Sequence, residues 1–147
     1  MEFILKTFSQ LTNSELYEIL RLRSEIFVVE QNCVYQDLDN LDQEAFHFLV
    51  INEGEIVAYV RMLKPGTRFP EASIGRVVTK IDYRNQGIST LLIRKAIQTI
   101  HNDWKANKIK ISAQKYLQRF YESLGFVAVT DEYSEDGIPH LGMILTF

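Results

Sequence analysis

A run of strand-like sequence that enters a long amphipathic helix through a short polar loop constrains this chain more than any other feature. The strand covers residues 73–80, the loop carries Arg84 and Gly87, and apolar residues then recur at helical spacing from Ile88 to Trp104. The first amides of such a helix lack intrahelical acceptors and lie at the positive end of its dipole. A strand that delivers its chain into a helix in this way makes a site for phosphate.

Gly87 and Arg84 suit this chemistry, although each also has a simpler explanation. A glycine lets the backbone approach a ligand closely, and an arginine donates charge-assisted hydrogen bonds to phosphoryl oxygens. A tight turn that needs glycine and a solvated loop charge would give the same two residues. Two other phosphate-binding loops are excluded, because the glycines form no Gly-x-Gly-x-x-Gly and no Gly-x4-Gly-Lys-Ser/Thr occurs.

The remaining pattern predicts a mixed, mostly antiparallel sheet with helices on its faces. Thr12 and Glu15 have capping-box spacing, which predicts a helix over about 13–27. The polar stretch 30–44 predicts a loop with at most one helical turn. The other predicted elements are a helix over 116–124 and strands over 3–8, 45–52, 55–63, 73–80, 108–114, 126–130 and 141–147. This order predicts an α/β protein with an α+β type of mixed sheet rather than a strict βαβ wind.

Length and composition predict a single domain over residues 1–147. Sixteen Lys and Arg stand against nineteen Asp and Glu, so the net charge is −3 and no basic field attracts nucleic acid or a membrane surface. No apolar run approaches the ~20 residues of a membrane span. One cysteine, Cys33, excludes an internal disulfide framework and suits a reducing compartment, so we expect a cytoplasmic protein.

Two stretches resemble the sequence motifs of the GNAT superfamily of acetyltransferases. Residues 84–89, Arg-Asn-Gln-Gly-Ile-Ser, resemble motif A, Arg/Gln-x-x-Gly-x-Gly/Ala, with serine in the last position. Residues 114–126 resemble motif B, Asn-x-x-Ala-x-x-Leu-Tyr-x-x-x-Gly-Phe, although glutamine and leucine replace the usual Asn and Ala. Residues 27–39, 74–77 and 135–143 are similar to the ElaA-type branch of this family, so the resemblance covers nearly the whole chain.

The resemblance implies the GNAT fold and acetyl transfer from acetyl-CoA to a primary amine of a small molecule or a protein. It implies that a backbone amide at Val78, flanked by Val77 and Thr79, stabilises the developing oxyanion, and that Tyr121 protonates the leaving thiolate. It leaves the acceptor open, and small domains of this kind often form homodimers. The implied cosubstrate-binding residues are Val77, Val78, Thr79, Arg84, Asn85, Gln86, Gly87, Ile88, Ser89, Gln114 and Tyr121.

The group that takes the proton from the amine is left open between two residues and solvent. Asp136, Gly137 and Pro139 predict a turn that carries His140, whose imidazole is a chemically suitable base. Glu30 lies at the end of the first predicted helix, where it either faces the acceptor or is a solvated charge. Each residue is a candidate catalytic base, and solvent is the third alternative.

Charged residues near these motifs carry weaker signals. Arg76 lies inside an apolar strand, which predicts an acidic partner near the site. Asp37, Asp39 and Asp42 lack the glycine and the bidentate Glu of a calcium loop, and no Cys/His spacing indicates zinc, so we predict no metal. We interpret the three aspartates as helix caps, a solvated surface or an acidic rim for a cationic acceptor.

Two other functions compete with acetyl transfer. The first is a module of the same fold that binds acyl-CoA without turnover, which the presence of Tyr121 disfavours. The second is a nucleotide-phosphate binder of another fold. That fold would need parallel βαβ order, whereas the run from 45 to 63 predicts a β-hairpin with its turn at 52–54.

Overall fold

A computed structural model describes residues 1–147, which form one eight-stranded sheet. The spatial order is β1-β2-β3-β4-β5-β8-β6, and β7 pairs with β8 beside β6. Only β4 and β5 are parallel neighbours. This mixed sheet confirms the predicted fold class. The strands are β1 (Glu2–Thr7), β2 (Phe46–Asn52), β3 (Glu55–Leu63), β4 (Ala72–Thr79), β5 (Lys108–Gln114), β6 (Val127–Ala128), β7 (Tyr133–Glu135) and β8 (Ile138–Thr146).

Three α-helices accompany the sheet. They are α1 (Asn13–Arg23), α2 (Ile88–Asn102) and α3 (Gln118–Ser123). The predicted capping box begins α1, since the Thr12 hydroxyl accepts from the Glu15 amide at 3.0 Å and the Glu15 carboxylate accepts from the Thr12 amide at 2.8 Å. Beyond Arg23 the chain continues as a π-helix, Ser24–Glu30, where the sequence predicts only further α-helix. None of the helices is both long and apolar enough to cross a membrane.

The two faces of the sheet bury different helices. Side chains alternate along a strand, so Phe48 and Val50 of β2 join the main core under α2 while Leu49 joins a smaller core under α1. In the smaller core, Ile26 of the π-helix packs in one cluster with Tyr59 and Val78. Helix α2 is therefore fixed against the sheet, and the π-helix is fixed against the middle of β3 and the C-terminal end of β4.

The parallel strands β4 and β5 separate soon after they meet. They pair only through Ala72 with Ile109 and Ser73 with Lys110, whereas β4 stays paired with β3 as far as Thr79. Strand β4 contains a bulge. Tyr59 of β3 lies opposite Val78 and Arg61 lies opposite Gly75, so the single residue between Tyr59 and Arg61 faces two residues of β4. Arg76, in the bulge, has a φ of +52°. The separation leaves one edge of β4 open.

The C-terminal third differs from the sequence prediction. The predicted strand over 126–130 is paired only at Val127–Ala128, and β7 was not predicted. The prediction of a turn at Pro139 and His140 is wrong, because both residues lie in β8 and the tight turn is at 136–137. Pro139 is tolerated there because it precedes the first residue of β8 that pairs with β5, so its missing amide donor removes no bond to β5.

Candidate active site

The separation of β4 and β5 opens a cleft of about 460 Å³. Its walls are the open edge of β4, the loop before α2, the end of β5 with the start of α3, the turn between β7 and β8, and the π-helix. Strands that diverge from a bulge cannot fill the space between them with backbone hydrogen bonds, so polar backbone groups are available there.

The start of α2 has the geometry of an anion-binding site. Gly87 is the N-cap residue with a φ of +76°, which glycine adopts without strain. A Cβ atom at Gly87 would meet no heavy atom within 4 Å, so the space beside this backbone is open. The first bond of the helix runs from the Leu91 amide to the Gly87 carbonyl, which leaves the amides before Leu91 without intrahelical acceptors. Free amides at the positive end of a helix, beside open space, are the arrangement that suits an anion such as phosphate.

Thr79 and Ser89 connect the end of β4 to α2. Their hydroxyls lie 2.6 Å apart, so the serine that departs from motif A has a partner inside the site. The Thr79 carbonyl also accepts from Nε of Arg84 at 3.0 Å. The serine therefore helps to fix the strand end against the first turn of the helix.

Strand alternation decides which amides of β4 face the cleft. The Lys80 amide donates to the Val57 carbonyl of β3 at 2.8 Å. Because backbone groups alternate along a strand, the Val78 amide also faces β3, opposite Tyr59, while the amides of Val77 and Thr79 face the open edge. This geometry corrects the expectation that the Val78 amide is the oxyanion donor.

Tyr121 lies at the base of the cleft on α3. Its ring packs edge-on against Phe120 and Phe126, with centroids 5.2 and 5.9 Å away. Burial raises the pKa of Tyr121 to about 12. Because of this raised pKa, the phenol keeps its proton at neutral pH. The Tyr121 hydroxyl makes no hydrogen bond within the protein, and the residue lines the cleft.

Arg84 and Glu30 meet across the mouth of the cleft. Two guanidinium nitrogens of Arg84 donate to the two carboxylate oxygens of Glu30, each at 2.6 Å. The hydrogen bonds and charge of Arg84 lower the pKa of Glu30. Beside this ion pair, the side-chain amides of Gln31 and Gln114 exchange hydrogen bonds of 3.3 and 3.4 Å.

His140 lies on the opposite wall in a polar cluster with Glu135. Its Nδ1 donates to the Ile138 carbonyl at 2.7 Å, which leaves Nε2 3.3 Å from a Glu135 carboxylate oxygen. Glu135 also accepts from Arg68 and from the Ser112 hydroxyl, each at 3.2 Å. The His140 ring is therefore oriented by a backbone carbonyl on one side and a carboxylate on the other.

In the polar stretch 30–44, Asp37 and Asp42 form buried ion pairs rather than an acidic rim, while Asp39 forms ion pairs at the surface. Arg23 binds Asp37 at 2.9 Å and Asp42 at 2.7 Å, and Arg61 binds Asp42 at 3.0 Å. Arg61 also binds Asp39 at 2.7 Å. The expected acidic rim and solvated surface are wrong for Asp37 and Asp42, because guanidinium groups neutralise both carboxylates inside the protein.

Arg76 confirms the expectation of an acidic partner. Its Nε lies 2.8 Å from an Asp37 carboxylate oxygen, and Nη2 donates to the Asp37 carbonyl at 2.9 Å and to Asp39 at 3.3 Å. The Tyr35 hydroxyl donates to Asp37 at 3.0 Å. The network thus ties the loop after the π-helix to the bulge of β4.

Most of the predicted site residues meet at this cleft. Its lining includes Val77, Val78, Thr79, Arg84, Ser89, Gln114, Tyr121, His140 and Glu30. Four of the predicted residues, Asn85, Gln86, Gly87 and Ile88, do not line it. The Ile88 side chain is buried in the core, and Gly87 lies beside the cleft at the N-cap of α2. Sequence reasoning missed four residues that line the cleft: Gln31 and Tyr35 after the π-helix, Arg68 in the loop between β3 and β4, and Glu135 in β7. These segments show no hydrophobic period.

The open strand edge, the anion-binding helix start and the buried phenol together are the features of an acyl-CoA-dependent N-acyltransferase. Comparison with known proteins identifies the family. The sequence model described as "Acetyltransferase (GNAT) domain" matches residues 9–147. The chain therefore belongs to the GNAT acetyltransferase family, whose members are acyltransferases.

Individual relatives place the chain within one branch of that family. It is 42% identical to Protein ElaA of Escherichia coli K12 over 92% of this chain and 90% of that protein. The crystal structure of Escherichia coli ElaA superposes with a TM-score of 0.91 at 40% identity, covering 98% of both chains. An acyl-CoA N-acyltransferase from Pseudomonas aeruginosa superposes with a TM-score of 0.93 at 41% identity, covering 99% of both chains. The predicted ElaA-type resemblance is confirmed.

Proposed function

We propose that this protein transfers an acetyl group from acetyl-CoA to a primary amine. The observation that carries the proposal is the open edge of β4, where the Val77 and Thr79 amides face a cleft that also contains the Tyr121 phenol. Acyl transfer to nitrogen needs a donor for the negative charge on the thioester oxygen and a proton for the leaving sulfur. The cleft contains groups suited to both tasks.

The residues divide the binding of acetyl-CoA between them. The amides that follow Gly87 and the guanidinium of Arg84 suit the pyrophosphate, and the Thr79 backbone suits an amide of the pantetheine arm. When bound, the cosubstrate supplies an activated acetyl group. We assign the oxyanion donor to the Val77 amide, one residue before the position expected from the resemblance, because alternation turns the Val78 amide toward β3.

We propose His140 rather than Glu30 as the group that takes the proton from the amine. Glu30 is a weak base here, because its ion pair with Arg84 lowers its pKa. His140 lies in the cleft with a fixed ring, and the Glu135 carboxylate beside Nε2 would stabilise the imidazolium that forms. Cys33 also lines the cleft, but its thiol donates to the Asp136 carbonyl at 3.2 Å, and we assign it no catalytic role.

Release of free thiol from acetyl-CoA in the presence of a panel of amines tests this proposal. The panel contains small monoamines, diamines and peptides with free amino groups, and each acceptor is also tested without enzyme. We expect enzyme-dependent thiol release with at least one amine. Tight binding of acetyl-CoA without thiol release from any amine would instead favour an acyl-CoA-binding module.

Motif A can be tested by binding alone. Gly87→Val adds a side chain to the open hollow and strains a backbone with a φ of +76°, so we expect weaker CoA binding. Arg84→Ala removes charge-assisted hydrogen bonds and should weaken binding by about 1.5–3 kcal/mol. Isothermal titration calorimetry measures both effects. Unchanged affinity in the two variants would remove the pyrophosphate site from the start of α2.

The pH dependence of kcat/KM tests His140. The acidic limb of this profile reports the ionisation of an essential base in the free enzyme. We expect His140→Ala to flatten that limb and to lower the rate most at acidic pH, while Glu30→Gln keeps the shape of the profile. A profile whose shape survives His140→Ala and changes with Glu30→Gln would transfer the role to Glu30. A limb unaltered by either substitution would leave deprotonation to solvent.

A further inference from the structure

All three guanidinium nitrogens of Arg84 have acceptors within the protein. Nε donates to the Thr79 carbonyl at 3.0 Å, and Nη1 and Nη2 donate to separate oxygens of Glu30 at 2.6 Å. The bond to Thr79 holds the guanidinium plane against the end of β4. Its edge formed by Nη1 and Nη2 is occupied by the Glu30 carboxylate.

A guanidinium binds a carboxylate and a phosphate through the same fork of parallel N–H donors. The pair of donors that Arg84 would offer to a pyrophosphate is thus the pair that Glu30 accepts from. We infer that Glu30 is an internal competitor for the phosphate site, and that acyl-CoA displaces it from Arg84 on binding. This inference rests on the proposed function, since it takes the start of α2 as the pyrophosphate site.

The position of Glu30 is fixed by the fold rather than by a flexible chain end. Glu30 is the last residue of the π-helix, an element that is rare and is often found at functional sites. Ile26, one turn earlier, is buried against Tyr59 and Val78. The next residue, Gln31, is held across the cleft by its paired amide contacts with Gln114. Packing therefore delivers the carboxylate to Arg84 from the opposite wall.

This exchange predicts that removal of the carboxylate improves binding. A phosphate that approaches Arg84 must break two charge-assisted hydrogen bonds and leave a carboxylate nearby with the same sign of charge. Glutamine keeps the size of the side chain without the charge. The Glu30 and Arg84 side chains are 39% and 34% exposed, so solvent weakens their attraction and the gain is modest. We expect Glu30→Gln to lower the Kd for acetyl-CoA about three- to fivefold.

Calorimetric titration of acetyl-CoA into wild type, Glu30→Gln and Glu25→Gln tests the exchange. Glu25 is a matched control for charge, because it lies on the same π-helix, its loss changes the net charge equally and its charge also acts on Arg84. It forms its ion pair with Arg21 at 3.8 Å and makes no hydrogen bond to Arg84. We expect Glu25→Gln to bind as wild type does. In an Arg84→Ala background, the part of the gain that comes from the displaced hydrogen bonds should disappear, and only the part that comes from charge repulsion should remain. S-acetylpantetheine, which has no pyrophosphate, should bind wild type and Glu30→Gln equally.

Three results would overturn the inference. Equal or weaker binding of acetyl-CoA by Glu30→Gln would show that Glu30 does not compete for the site. An equal gain in Glu25→Gln would reduce the effect to net charge. If Glu30→Gln also bound S-acetylpantetheine more tightly than wild type does, the gain in affinity would not depend on the phosphates. In each case acetyl-CoA still binds wild type and the proposed function stands, whereas wild type that binds no acetyl-CoA would overturn both.

Discussion

Tyr121→Phe should lower kcat at least tenfold, and about 10²-fold if the phenol is the only proton donor to the leaving sulfur. The substitution removes one oxygen and keeps the ring, so the edge-on packing against Phe120 and Phe126 should survive. Burial raises the pKa of Tyr121 to about 12, and the phenol therefore holds its proton at neutral pH. Steady-state kinetics at saturating acetyl-CoA, with a binding measurement beside them, give the comparison.

The binding measurement separates an acid from a packing residue. A lost proton donor lowers kcat with little change in the Kd for acetyl-CoA, whereas disturbed packing changes the Kd and the melting temperature as well. Tyr17→Phe is the matched control, because Tyr17 is 69% exposed on α1 and lies outside the cleft. Turnover of Tyr121→Phe at the wild-type rate would make this residue part of the core only.

The fold was predictable wherever one periodic pattern governs an element. Strands β2, β3 and β5 and helix α2 agree with the predicted ranges to within two residues. The strand β5 and the helix α2 each show one buried face, whereas β2 and β3 are buried on both faces and show as apolar runs on either side of a turn. The short strand β7 has three residues, which is too short for a period to show. The π-helix shows no sequence period that would distinguish it from continued α-helix, and Ile26 is buried in the smaller core within it.

The site was predictable where a backbone geometry demands a residue type, and hardly anywhere else. Gly87 was singled out because a glycine lets the backbone approach a ligand closely, and the structure places it at the N-cap of α2 with a φ of +76°, which glycine adopts without strain. The partners of charged groups were not found, because pairing joins residues far apart in the chain: Arg84 lies 54 positions from Glu30. Arg23 looks like an ordinary helix-end charge in the sequence and is fully buried in the structure.

Arg23→Met should destabilise the protein by about 3 kcal/mol, because it removes the buried cation that Asp37 and Asp42 share and leaves Asp37 only Arg76 and Asp42 only Arg61 as cationic partners. Arg23 is fully buried and binds both Asp37 and Asp42. Methionine has a similar length and is apolar, so the loss measures the missing charge more than a cavity. Urea unfolding at neutral pH gives the difference in free energy. Arg21→Met on the same helix, where the side chain is 44% exposed, should cost less than about 1 kcal/mol.

Acid should reduce the difference in the free energy of unfolding between wild type and Arg23→Met. Burial alone would raise the pKa of Asp42, but the hydrogen bonds and charges of Arg23 and Arg61 outweigh burial and lower it. A carboxyl whose pKa is lowered by folding stabilises the protein above the ordinary Asp pKa of about 3.9 and loses that contribution as the pH falls further. Without Arg23 the pKa of Asp42 is lowered less. Wild type therefore loses more of its free energy of unfolding on acidification than Arg23→Met does. The urea midpoints of wild type and Arg23→Met should differ less at a pH below about 3.5 than at pH 7. A difference that is the same at both pH values would trace the loss of stability in Arg23→Met to packing instead of charge.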